Sequence, residues 1–319
     1  MKTNQMNRTT LLFLGLCAFS CGSPEQKLKI RVTDELGKPL KDAACMGGWW
    51  KDVFVHGSTD QNGVVEMTAR TGRYETFVKA ELPGYYRSKI CKFMMTGSTA
   101  DHWEPWPVEV NLVMKKIRNP HPMYALEAKD AMKFSFPNGE GREFGFDLMV
   151  GDWVAPHGKG IVADFVLSPR KGEAKEDEMF PPGTMLLAFS NSADGIIAVP
   201  EAPVGGSSLA SPTEAPPFGY LKEWEFSNRP SKDGLFPGLD PLRRVWVIRV
   251  RSKVDEKGNF VSAYYGKISG HPEILFFPHA PAFRMTWYLN DTKNERNLEW
   301  DLKTNLFKNL DRIYWPMSP

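Results

Sequence analysis

LKIRVTDELGKPLKDAAC, residues 28–45, alternates apolar Leu28, Ile30 and Val32 with charged Lys29 and Arg31. A period of two with one apolar face is the pattern of a half-buried strand. DELGKPL then supplies turn chemistry, with Gly37 free to take a positive φ angle. Outward from this stretch the signal repeats. In GSTDQNGVVEMTARTGRYETFVKAELPGYY (57–86), Asp60, Asn62 and Gly63 form a tight turn. Val64–Thr68 is a strand, Thr71-Gly72-Arg73 turns again, and Tyr74, Thr76, Val78 and Ala80 alternate along the next strand. In WPVEVNLVMKK (106–116), Val108, Val110 and Leu112 share a face. Short strands separated by turns at this spacing predict a β-sandwich.

The ordered series Ile30, Val32, Asp34, Gly37, Pro39, Leu40, Ala43, then Thr59, Asp60, Gly63, then Gly72, Tyr74, then Gly84, Tyr85 resembles the carboxypeptidase regulatory-like domain. The resemblance covers residues 28–117. It implies a seven-stranded, transthyretin-like or Ig-like sandwich of a kind found in many bacterial surface proteins. Such domains are usually accessory, spacer or contact modules without catalysis.

Two features inside this domain carry alternatives. Asp60-Gln61-Asn62-Gly63 opens like a calcium loop, but the twelfth position is Thr71, where a bidentate Glu is required, so the turn reading holds. Cys45 and Cys91 are the pair that remains once the N-terminal cysteines are set aside. In an oxidising compartment they are expected to form a disulfide, closing a loop whose constraint contributes roughly 4 kcal/mol. Two sulfurs without a His at ligand spacing do not make a metal site. In MTGSTADHWEPWP (95–107), Trp103 and Trp106 with His102 either stack on a sugar ring or pack against the rest of the chain.

The N-terminal text is LLFLGLCAFSCGSPEQ (11–26), preceded by Lys2 and Arg8. Its apolar run, Leu11–Phe19, is too short for a bilayer-spanning helix of roughly 20 residues but suits a signal-peptide core. Small residues around Cys21 resemble a bacterial lipoprotein signal, in which the chain is cut before a cysteine that then carries acyl chains. Ser20 suits the position before the cut, whereas Leu16 before Cys17 is too bulky. Residues 1–20 are therefore expected to be a signal peptide, Cys21 the lipidation site and 21–27 a linker. The chain would be held on a membrane of the bacterial envelope by its lipid, facing the periplasm or exterior.

Asn119-Pro120 and His121-Pro122 mark a stiff connector. Residues 118–319 beyond it read as a larger, mostly antiparallel β-domain of no recognised family. The clearest hairpin sets Trp246, Ile248 and Val250 against Val247, Arg249 and Arg251, turns at DEKGN, and returns through FVSAYYGKI. RNLEWDLKTNLFKNLDR (296–312) is expected to end as a short helix, because Leu302, Leu306 and Leu310 recur at four-residue steps. PEAPVGGSSLASPTEAPPFG (200–219) is a long Pro/Gly/Ser-rich loop, either mobile or wrapped over the sheet.

The chemistry-bearing constellation is FDLMVGDWVAPHGKGIVADF (146–165), with Asp147, Asp152, His157 and Asp164. Paired carboxylates can do acid–base work, or bind a metal with His157. The same residues are good β-turn text, and that reading leads. Ser269-Gly270-His271 lacks the flanks of a nucleophile elbow. No cofactor is implied by any phosphate, dinucleotide or zinc-protease motif.

The chain has a formal net charge of only +2, which gives no electrostatic case for nucleic acid. With 42% hydrophobic and 24% charged residues it reads as globular. The expectation is an all-β, anchored, non-catalytic protein that contacts a glycan or another envelope protein. The alternative is a membrane-anchored enzyme acting on polysaccharide, with the first domain as its accessory.

Overall fold

The computed structural model describes residues 23–49, 53–130, 133–137, 142–173, 181–201, 205–228, 244–277 and 279–319. The expected signal peptide and lipid-bearing Cys21 lie outside them. Among the described residues no helix is long and apolar enough to cross a membrane.

The first nine strands are β1 (Glu25–Asp34), β2 (Ala44–Trp49), β3 (Val53–Ser58), β4 (Val64–Arg70), β5 (Glu75–Glu81), β6 (Cys91–Met94), β7 (Gly97–Ser98), β8 (Trp103–Glu104) and β9 (Val108–Met114). Seven of them form two facing sheets, ordered β4-β1-β9 and β3-β2-β5-β6, while β7 and β8 make a small ribbon. Leu28, Ile30 and Val32 are fully buried, as the alternation of β1 requires, and meet Cys45, Val78, Val110 and Leu112 in one apolar core. The turn before β4 is built by Asp60, whose Oδ1 accepts the amides of Asn62 and Val64. Gly63 takes φ +72° there, and any Cβ would come within 2.5 Å of the Val32 carbonyl oxygen.

The expected disulfide is not formed. Cys45 pairs with Ala80, and Cys91 pairs with Val78, so β5 lies between the two cysteine strands. Two inter-strand spacings separate them by roughly 9–10 Å before the offset along β5 is added, beyond the roughly 7 Å a disulfide can bridge. Both cysteines are buried in the first core, and burial pushes the Cys45 thiol up to about 12.

The second part contains β10 (His121–Ala128), β11 (Phe144–Asp147), β12 (Asp152–Trp153), β13 (Phe165–Lys171), β14 (Gly183–Ala188), β15 (Gly195–Pro200), β16 (Glu223–Ser227), β17 (Arg244–Val254), β18 (Phe260–Phe276), β19 (Pro281–Asn290) and β20 (Trp300–Asn305). A six-stranded sheet, β15-β17-β18-β19-β10-β20, faces a five-stranded one, β12-β11-β13-β14-β16. Pairing is antiparallel throughout except between β10 and β20. The core between these sheets is aromatic. The Phe146 ring stacks on Phe165 and meets Trp153, Phe283 and Trp287 edge-on, the arrangement ring quadrupoles favour.

No α-helix forms at the C-terminal end. Residues 300–305 are strand β20, followed by a single 3₁₀ turn, Arg312–Tyr314. Leu302 sits at φ +60° and is 42% exposed, while Asp301 Oδ1 accepts the amides of Lys303 and Thr304. Asn305 then exchanges hydrogen bonds with the Ala125 backbone across β10. These ties hold an extended path against the four-residue leucine spacing.

The Pro/Gly/Ser-rich loop packs against the first sandwich. Its Ser207, Ser208, Leu209, Ala210 and Ser211 are buried. The Gly205 carbonyl accepts from Val113 N (2.9 Å), the Gly206 carbonyl from Lys89 N (2.7 Å), and Ser208 N donates to the Arg87 carbonyl (2.8 Å). A second tie runs through Glu299, whose Oε2 accepts from the Tyr86 hydroxyl (2.9 Å) and the Arg118 amide (3.0 Å). The two sandwiches are thus joined by a hydrogen-bonded, buried junction.

Candidate functional site

The carboxylates of the 146–165 stretch separate into two groups. Asp147 and Asp164 converge on Arg251. The Arg251 guanidinium donates from Nη2 to Asp147 Oδ1 (2.7 Å), from Nε to Asp164 Oδ1 (2.7 Å) and from Nη2 to Asp164 Oδ2 (2.9 Å). Asp147 also accepts four backbone amides, from Met149, Val150, Ile161 and Val162, and Asp164 accepts the Leu148 amide. Burial alone would raise the Asp147 pKa, but the Val162 and Ile161 amides and Arg251 outweigh it and hold the group below the ordinary carboxylate range. Burial dominates at Asp164 and raises it, with Arg251 opposing. Such a network ties three loops together and leaves no carboxylate oxygen without a donor.

Arg251 was not legible as part of this cluster. Simple alternation along β17 places it on the polar face with Arg249. The register between β17 and β18 shifts after Val250, Arg251 takes φ +53°, and Asp194 holds that kink by accepting the Arg251 and Ser252 amides. A bulge of this kind re-aims a side chain.

Asp152 and His157 belong to the turn after β11. Asp152 lies opposite Asp147 on the neighbouring strand, and its carboxylate accepts the Trp153 and Lys159 amides (2.8 and 2.9 Å). The His157 ring stands edge-on to Phe144, 5.3 Å between centroids, and does not join the carboxylates. Among the described residues no group of three or more His, Cys, Asp or Glu is placed to hold a metal ion. On the first sandwich, Trp103 donates its Nε1–H to the Thr71 carbonyl (2.8 Å) and packs on the core, while Trp106 is 38% exposed beside the His102 ring.

The turn forms one wall of a cleft of about 630 Å³. The buried core rings of Phe134, Phe146 and Trp153 lie behind it, and half-buried Phe307 lines it. Lys133, Lys159 and Lys308 also line it, and among the described residues Asp152 is its sole acidic lining residue. The opposite wall is the segment after β20, anchored by the Leu306 amide on the Met123 carbonyl (3.0 Å) and by Phe307 against Tyr124. Gly151, at φ +70°, lets this segment approach: a Cβ there would meet the Phe307 ring at 3.3 Å. Lys133 lies over the Tyr314 ring, 4.1 Å from its centroid. Among the described residues none of the three lysines forms an ion pair.

A second polar cluster, also missed from sequence, sits in the junction. The fully buried Lys267 amine donates to Ser211 Oγ (3.1 Å) and the Leu298 carbonyl (2.7 Å), and lies over the Tyr288 ring. Lys115 of the first sandwich donates to the Ser211 carbonyl (2.7 Å). Burial, with Lys115 adding to it, pulls Lys267 down to about 7. Its strand position gave no sign of this, because a lysine in an alternating strand reads as solvent-facing.

No protein-family model matches the chain, and no curated protein matches it. Solved structures with some likeness include a 3-chlorocatechol 1,2-dioxygenase from Rhodococcus opacus 1CP, at 11% identity and a TM-score of 0.24. That likeness covers 30% of this chain and 61% of the dioxygenase. A DUF3823 family protein from Parabacteroides merdae matches at 11% identity and a TM-score of 0.21, over 82% of this chain and 96% of its own. The shaft pilin SpaA from Lactobacillus rhamnosus GG matches at 11% identity and a TM-score of 0.24, over 86% and 94%. Likenesses this faint say nothing about what this chain binds or does.

Proposed function

We propose that this is a non-catalytic, lipid-anchored envelope protein, with a carboxypeptidase regulatory-like sandwich at 28–117 and a ligand-binding β-domain at 118–319. The observation that carries the binding reading is the state of the carboxylates. Asp147 and Asp164 are consumed by Arg251 and five backbone amides, while Asp152 accepts two more, one on each oxygen. A general acid needs a proton to give and a general base a lone pair to use, at a place a substrate can reach. The cleft beside them instead offers three amines and the half-buried Phe307 ring, which are materials of recognition. The ordered motif series and the seven-stranded sandwich support the first module, and the small residues around Cys21 support the anchor.

The test is a glycan panel assayed for both binding and cleavage, with the full chain and its Asp152→Asn and Asp164→Asn variants. Binding without product is expected. Cleavage abolished by either substitution would establish the polysaccharide-active alternative. Partition of the mature protein into the aqueous phase of a detergent separation would remove the anchor from the proposal.

A further inference from the structure

We infer that the cleft between the 152–160 turn and the segment after β20 binds an acidic sugar chain, one carrying uronate carboxylates. This rests on the binding reading above and adds the ligand class. Among the described residues three lysines line the cleft against one aspartate, in a chain whose formal net charge is only +2. The clustering is therefore local and does not follow from a basic composition. Asp152 offsets only part of their charge, and its two oxygens are already oriented by backbone amides.

Elsewhere some exposed or half-exposed lysines meet carboxylates, Lys27 with Glu66, Lys29 with Glu109 and Lys129 with Glu127, while others such as Lys92, Lys253 and Lys303 meet none among the described residues. Lys133, Lys159 and Lys308 have no such partner among the described residues, so their charge is available to an incoming anion. Lys133 is already held in place over Tyr314. The cleft volume of about 630 Å³ falls within the range of small-ligand sites, roughly 300–1,000 Å³.

The wall chemistry favours a sugar over an acidic peptide. A peptide that binds by strand addition needs a free strand edge to continue the ladder. The edge beside this cleft, β12, is only two residues long, and the chain beyond it folds back so that Val154 bridges Gly160. Recognition there falls to side chains. Half-buried Phe307 lines the cleft together with the three lysines, a mix of ring and cations that matches a pyranose ring whose edge carries a carboxylate.

The experiment is calorimetric titration of the full chain with an oligogalacturonate of defined length. Parallel titrations use the uncharged oligosaccharide of the same linkage, an oligoglutamate of equal charge and a single-stranded oligonucleotide. The uronate is expected to bind, more weakly as salt rises, and at least about tenfold more tightly than the uncharged sugar. Lys159→Met and Lys308→Met should each weaken it roughly two- to fivefold, and the double variant about tenfold. Both lysines are exposed, so melting temperatures of the variants should stay at the parent value. Equal affinity for oligoglutamate or the oligonucleotide would overturn the inference, as would uronate binding indifferent to the lysines, or none at all. Tight binding of an uncharged glycan by parent and variants alike would overturn it while leaving the binding reading intact. Product formation in any arm would overturn the non-catalytic reading itself.

Discussion

Lys267 brings its amine into the junction with the hydroxyl of Ser211, the carbonyl of Leu298 and the face of Tyr288 around it. A lysine whose pKa falls to about 7 on folding binds its proton more weakly in the native than in the unfolded chain, where the ordinary value is about 10.4. Between these two values the unfolded state holds more protons, so stability rises with pH across that window and is flat and lower beneath it. Melting temperature is expected to climb from about pH 7 toward about pH 9, above which the raised Cys45 thiol opposes it, and the climb should be lost in Lys267→Met. An unchanged slope in the variant would show that another group is responsible. Arg251 makes the opposite kind of case. Its guanidinium pairs with two carboxylates whose side chains are 2% and 0% exposed, so Arg251→Met leaves both buried without a cation. The expected loss is about 3–5 kcal/mol in denaturant unfolding, against a smaller loss for Asp164→Asn, which removes a charge along with its partner's contact. A loss under about 1 kcal/mol for Arg251→Met would mean that the network is dispensable.

At the level of elements, β1 was readable because one face of it is buried and the other is not, which writes the period of two into the sequence. The same logic served β17 only as far as Val250. Alternation carries no mark of a bulge, and the residue after it, Arg251, turns inward under the hold of Asp194. The leucines at 302, 306 and 310 misled for a related reason: a four-residue spacing suits a helix, but Asp301 and Asn305 commit the backbone to other partners. The pairing expected of Cys45 and Cys91 failed because strand order is a non-local property, and the interposed β5 was not readable. The 200–219 loop was legible as a loop and not as a clamp. Its dependence on Gly205 gives a test, because a Cβ at φ +74° would lie 2.5 Å from the Asn111 carbonyl oxygen. Gly205→Ala should loosen the clamp, seen as faster proteolysis within 205–211 and faster hydrogen exchange at Lys89, Val113 and Ser208. Protection equal to the parent at all three amides would refute this role for the loop.

Over the whole molecule, two sandwiches share the chain, each with its own core, and each contains one parallel strand pair, β1 with β9 and β10 with β20. The constellation that drew attention in the sequence was half site and half scaffold. Asp147 and Asp164 build the wall from behind, while Asp152 lines the cleft. The lysines could not be grouped beforehand, since Lys133, Lys159 and Lys308 come from three distant segments. The clamp also has a consequence for how the protein is made. Strand β9 ends at Met114 and completes the first sandwich, but its outer amide at Val113 waits for Gly205, some ninety residues later in the chain. During synthesis, which proceeds from the N-terminus, the early sandwich therefore stands for a time with an unfinished edge open to wrong partners. Pulse-labelled exchange during refolding should find the Lys89 and Val113 amides protected later than that of Val32, which pairs within the first sandwich. Simultaneous protection would mean that the nascent edge is never exposed.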